Sequence, residues 1–174
     1  MIQRLLGRPG SRTRPQREKG ERLGGYIYGT IVVLATVVGG AQAYKDGAGH
    51  IAVLVLVTTV VFWLAHVYSH ALGESIRKGE HLTWRELVEI AGRESSIIEA
   101  AVIPILLLGL GSIGVVSVHA AVWLAFIAGL TVLVAEGFAF ARAEKLGPLA
   151  TVVIVALNLG LGLLLVALKL AVSH

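Results

Sequence analysis

The chain contains no cysteine, one methionine and four prolines, and charged residues make up only 15% of its 174 positions. Without thiols there are no disulfides, no thiolate metal ligands and no cysteine nucleophile. A single methionine leaves no thioether-lined copper path. The motifs of soluble enzymes are missing too. There is no G-x-S-x-G, no phosphate-binding loop with its lysine and no H-E-x-x-H, since His66 and His70 have that spacing without the intervening glutamate. The sequence therefore points away from an enzyme.

Apolar residues fill the space that charge leaves. They make up 56% of the chain, and the mean hydropathy is +0.80. Soluble domains are about 45–50% apolar and about 25% charged, so the composition predicts an integral membrane protein. Crossing about 30 Å of hydrocarbon takes roughly 20 residues of helix. Five runs are long enough: Gly25–Tyr44, Ile51–Leu72, Ile97–Ser117, His119–Ala141 and Pro148–Val172. The expected fold is all-α, a polytopic transmembrane helical bundle of five spans. A tight turn around Gly114–Val118 joins the third span to the fourth. Pro148 opens the fifth, where its missing N–H is harmless.

Charge placement orients the bundle. Arg4, Arg8, Arg12, Arg14, Arg17, Lys19 and Arg22 precede the first run, and Pro9, Pro15, Gly7 and Gly10 lie among them. Residues 1–22 are expected to form a disordered basic tail beside anionic lipid, each basic group near the surface contributing about 1 kcal/mol. A nucleic-acid partner and a cleavable signal peptide are not expected. Arg77, Lys78, Arg85 and Arg93 fall in the second loop, and Arg142 and Lys145 in the fourth. The opposite side has Lys45, with Lys169 near the end of the last run. This asymmetry predicts a cytoplasmic N-terminus, an outer C-terminus and a bacterial inner membrane. Residues 23–174 then form the membrane domain.

Two local patterns stand out. Thr83 with Glu86 three residues later reads as a capping box. Trp84, Leu87, Val88 and Ile90 with Leu82 give an uneven apolar stripe, so residues 82–95 are expected to form a short amphipathic helix at the interface or on a partner. Gly25 and Gly29 form a GxxxG, which allows close helix approach either within the chain or in a homodimer through the first span.

Ionisable groups inside spans are costly and default to functional candidates. His66, His70 and Glu74 lie at i, i+4 and i+8, on one side of a helix. Glu99 opens the third span, Glu136 lies in the fourth about two turns before Arg142, and Asn158 is near the middle of the fifth. All occupy the inner half or the midplane, which predicts a polar pocket facing the cytoplasm. Three readings compete. In one, His66, His70, Glu74, Glu99 and Glu136 hold a divalent ion (Fe, Mn or Zn), whose binding displaces protons. In another, His66 or His70 faces His119 across a haem, but His119 lies near the opposite side. In the third, each group is paired, for example His70 with Glu136, and does nothing more.

The hexapeptide Ser69-His70-Ala71-Leu72-Gly73-Glu74 resembles the Ser-Met-Ala-x-Gly-Glu at the end of the second span in the vacuolar iron transporter family. The stretch Gly24-Gly25-Tyr26-Ile27-Tyr28-Gly29 is similar in composition to that family's Gly-x-x-Asp-Gly. The resemblance implies five spans, a cytosolic N-terminus, a dimer, and metal contacts at His70 and Glu74. Tyr28 falls where the family has an acidic residue. The Gly73–Ser96 segment, with Glu80, Glu86, Glu89 and Glu94, replaces a much larger glutamate-rich domain. The functional expectation is a proton-linked divalent cation transporter or binding protein. The alternative is a non-transporting membrane scaffold that recruits a partner.

Overall fold

The computed structural model describes residues 14–45 and 47–172. Six helices follow one another: α1 (Arg14–Ala43), α2 (Ala48–Lys78), α3 (Trp84–Arg93), α4 (Ser96–Ser112), α5 (Val118–Ala143) and α6 (Pro148–Val172). There is no strand among the described residues. The protein is all-helical. Three helices are long and apolar enough to cross a membrane: α1 from Arg22 to Ala43, α2 and α5. The pair α3–α4, bent by 50° between its members, qualifies as a fourth, and α6 has a shorter apolar stretch, Pro148–Leu164. These helices make it a membrane protein.

Where the helices begin and end follows local chemistry. α1 starts at Arg14, so the second half of the basic segment expected to be disordered is helical. Its Arg, Gln, Glu and Lys residues are good helix formers and run straight into the apolar stretch. Residues 1–13 lie outside the described part of the chain. α2 ends on Gly79, whose φ of 70° places it in the left-handed region, with its N–H on the Ser75 carbonyl. α4 stops at Ser112 rather than Ser117, because Gly114 at φ 78° turns the chain. Ser117 then caps α5, its hydroxyl accepting from the Ala120 N–H at 3.2 Å.

α1 is the central element, packing on α2, α4, α5 and α6, while α4 also packs on α2 and α5. Glycines set the closest approaches. A Cβ on Gly29 would lie 2.9 Å from the Ile97 carbonyl oxygen, and one on Gly129 2.6 Å from the Leu34 side chain. Gly25 likewise faces Ser96 and Ile97. The face of α1 that carries Gly25 and Gly29 is therefore packed against α4 of the same chain, the first of the two expected readings. One core layer holds Val33, Val37, Ile51, Val55, Ala101, Leu108 and Ala125. A second holds Leu34, Leu133 and Val166. Thr30, Thr36 and Thr59 satisfy their buried hydroxyls on carbonyls one turn back, at 2.7–2.8 Å.

Candidate functional site

The expected amphipathic helix is present as α3, and its start is built as the sequence suggests. The Thr83 hydroxyl accepts from the Glu86 N–H, and the Glu86 carboxylate accepts from the Thr83 N–H at 2.8 Å. Lys78, at the end of α2, bridges to the same Glu86 carboxylate. Ile90 is buried with Val67 and Ala71 of α2, and Trp63, Leu82, Leu87 and Ala91 close around them. The Trp63 indole N–H donates to the Ala91 carbonyl at 3.1 Å, fixing α3 to α2. The opposite face of α3 leaves Trp84 78% and Val88 53% exposed.

α3 ends at Arg93, Glu94 and Ser95 form the elbow, and α4 leaves at 50°. That bend carries Glu94 under α2, where it is only 7% exposed. Its Oε1 lies 2.7 Å from Nδ1 of His70. Glu94 is thus the acid that meets the histidine, and the sequence pattern offered no sign of it, because the encounter depends on the bend. His70 does not pair with Glu136. Beside the pair lies a cleft of about 310 Å³ whose lining includes Ser69, Gly73, Glu74, Arg77, Ile90 and Arg93.

The other expected ligands have separate partners. The His66 ring lies 4.9 Å from the Tyr28 ring and 6.5 Å from the His70 ring, centroid to centroid. Its Nδ1 is 3.1 Å from the Phe62 carbonyl oxygen. Tyr28, at the position where a carboxylate would match the iron-transporter pattern, thus covers His66 with an aromatic ring. Glu74 accepts from Arg77 at 2.6 Å, with Lys78 at 3.6 Å. The Arg77 hydrogen bond, aided by the charge of both bases, holds the Glu74 carboxyl below the usual carboxylate range against the opposing effect of burial. Glu99 accepts from the Ser95 hydroxyl at 2.7 Å and from Arg22 at 3.1 Å, tying α4 to α1. Glu136 stands apart in α5, with Oε2 buried and without a hydrogen-bond partner.

His66, His70 and Glu74 share one helix side as expected, but the five residues do not converge. Among the described residues, no group of three or more His, Asp or Glu could hold a metal ion. The arrangement at the elbow is a pair: an imidazole nitrogen and a carboxylate oxygen within hydrogen-bond distance, opening on a charged cleft. Such a pair can pass a proton, or exchange that proton for a cation bridging the nitrogen and the oxygen while water completes its shell. Comparison with known proteins adds no relative: no family model, curated protein or solved structure matches the chain.

Proposed function

We propose that this is a five-span protein of a bacterial inner membrane, N-terminus inside, that binds or moves a divalent cation such as Fe, Mn or Zn in exchange for protons. The observation that carries the reading is the 2.7 Å contact between His70 and the buried Glu94 beside an open cleft. Ionisable groups within a membrane-spanning helix are functional candidates by default, and His70 lies on α2, which is long and apolar enough to span. Cation binding at imidazole and carboxylate releases protons, because the ligands must be deprotonated. The likeness of Ser69–Glu74 to the second-span motif of vacuolar iron transporters points the same way.

The orientation rests on charge. Arg77 and Lys78 end α2, Arg85 and Arg93 lie in α3, Arg142 is in the last turn of α5 and Lys145 follows it, all at one end of the bundle; the α1–α2 turn has Lys45. The same basic groups face anionic headgroups on the cytoplasmic leaflet, where each contributes about 1 kcal/mol. α4 completes the third span and α6 the fifth.

The deciding experiment is metal uptake with simultaneous pH recording in proteoliposomes. The wild type should move Mn(II) or Fe(II) against protons, and His70→Ala and Glu94→Ala should each lower uptake at least about tenfold, the range seen when a metal site loses a supporting group. Equal flux in wild type and variants would end the assignment to this pair. No flux above empty liposomes in the wild type would leave the scaffold reading, for which the exposed Trp84 and Val88 of α3 are the available surface.

A further inference from the structure

Glu136 is the one acidic residue of the spans that the elbow does not use. Gly137, the next residue, brings α6 against the α5 backbone: a Cβ there would lie 3.1 Å from the Val155 Cα and 3.2 Å from the Asn158 Nδ2. Asn158 therefore lies against Gly137, one residue along α5 from Glu136, on the neighbouring helix. Both Glu136 Oε2 and Asn158 Nδ2 are buried without a hydrogen-bond partner. The first is an acceptor and the second a donor, on adjoining helices.

The charges around it are few. From α1, Tyr26 lies within electrostatic reach of Glu136 and also of Glu99 and Arg22. Those last two neutralise each other at 3.1 Å. α6 has no Asp, Glu, Lys, Arg or His between Pro148 and Leu164, and α4 has only Glu99. On α2, His70 is engaged by Glu94 at the elbow, and His66 lies against Tyr28 and the Phe62 carbonyl. Among the described residues, no cation pairs with Glu136. Glu136 is part-buried, with one oxygen shielded from solvent, and a carboxylate oxygen shielded without a counter-charge or donor disfavours the ionised form. A protonated carboxyl is neutral and offers one donor and one acceptor, which is what an Asn amide complements.

We propose that Glu136 is a second proton-binding site, deeper in the bundle than the His70–Glu94 pair, with Asn158 as its positioning residue. The proposal deepens the exchange reading above and rests on it for its biological use. Glu136 supplies the proton side of the exchange, and the elbow supplies the cation side. Loss of the proton leaves a carboxylate that the Asn158 amide and the Tyr26 hydroxyl can solvate, so the site can reload.

The test is reaction of the full-length protein in liposomes with dicyclohexylcarbodiimide, which adds to protonated carboxyls in apolar settings, followed by peptide mass spectrometry. Wild type should carry the adduct on Glu136 at pH 7, falling about tenfold per pH unit once the carboxyl titrates. Asn158→Leu removes a donor that favours the charged form, so labelling should persist to higher pH. Glu136→Gln should fold and lose the adduct together with the infrared carbonyl band of a neutral carboxyl. No adduct at Glu136 at pH 7, labelling independent of pH, or protection by excess sodium would overturn the proposal. The labelling reads Glu136 whether or not a cation moves. Intact labelling without flux would therefore overturn the transport reading alone.

Discussion

Gly29 lies where α1 and α4 touch almost backbone to backbone, and the smallest side chain is the condition of that contact. A methyl there meets the Ile97 carbonyl oxygen and Cα at 2.9 and 3.0 Å, atoms that cannot rotate away. Gly29→Ala should lower stability by about 1–3 kcal/mol, the usual cost of overpacking. Gly25→Ala should cost less, since the nearest atom is the Ser96 hydroxyl. Gly109 has nothing within 4 Å, and alanine there should be neutral or stabilise by up to about 1 kcal/mol through helix propensity. Thermal unfolding in detergent, monitored by circular dichroism, separates the three variants. At this scale the sequence was partly legible. A GxxxG says that something comes close; only the fold says that it is Ile97 of the same chain. In the same way, three ionisable residues at four-residue spacing locate one side of α2. The partner of His70 sits beyond a bend that no local pattern encodes, so Glu94 passed as a loop residue. Tyr28 over His66 was equally hidden, because side-chain stacking between α1 and α2 depends on their rotation.

α3 shows how far one element can be read in advance. Its capping box, apolar stripe and boundaries were all visible, because they depend on residues within a single turn of each other. Its hold on α2 was not, being made by Trp63 and Lys78 from a different helix. Lys78, with help from the Thr83 N–H and hydroxyl, pushes the Glu86 carboxyl down to about 2. A carboxyl lowered on folding stabilises above its unfolded value of 4.5 and loses that contribution as pH falls through its folded value. Lys78 is shifted up from 10.5 by the same partner. Its share is therefore present below that value and is lost as pH rises past it. Protection of the α3 amides, taken as exchange relative to the intrinsic rate at each pH, should be steady from about pH 5 to about pH 10 and fall as pH drops from about 4.5 toward 2. Thr83→Ala should weaken the helix start by about 1 kcal/mol at neutral pH. Lys78→Met should flatten the acid dependence. Acid-independent protection in the wild type would contradict this account of the α2–α3 junction.

For the molecule as a whole, composition was enough for an all-helical membrane protein, while the way into the bundle needed the arrangement of its parts. The polar groups thought to converge are dispersed, His70, Glu74 and Glu99 onto separate partners and Glu136 onto none among the described residues, because glycine contacts and apolar packing fix how each helix is rotated. The absence of cysteine makes the proposed topology directly measurable. Single cysteines placed at Lys45 or Gly114 should react with a membrane-impermeant maleimide on intact cells. Those at Gly79 or Glu144 should react only after permeabilisation. The reverse pattern would invert the bundle and put the His70–Glu94 cleft outside.

One dimension of α4 bears on the lipid. With 17 residues at about 1.5 Å each, it is about 25 Å long, against about 30 Å of hydrocarbon. Its neighbours α2 and α5, of 31 and 26 residues, have length to spare. In the proposed five-span topology, a helix this short is matched by local thinning of the bilayer, which would bring headgroups and water toward Glu99 and the elbow beneath it. The side of the bundle that carries the bend would then have the least hydrocarbon beside it.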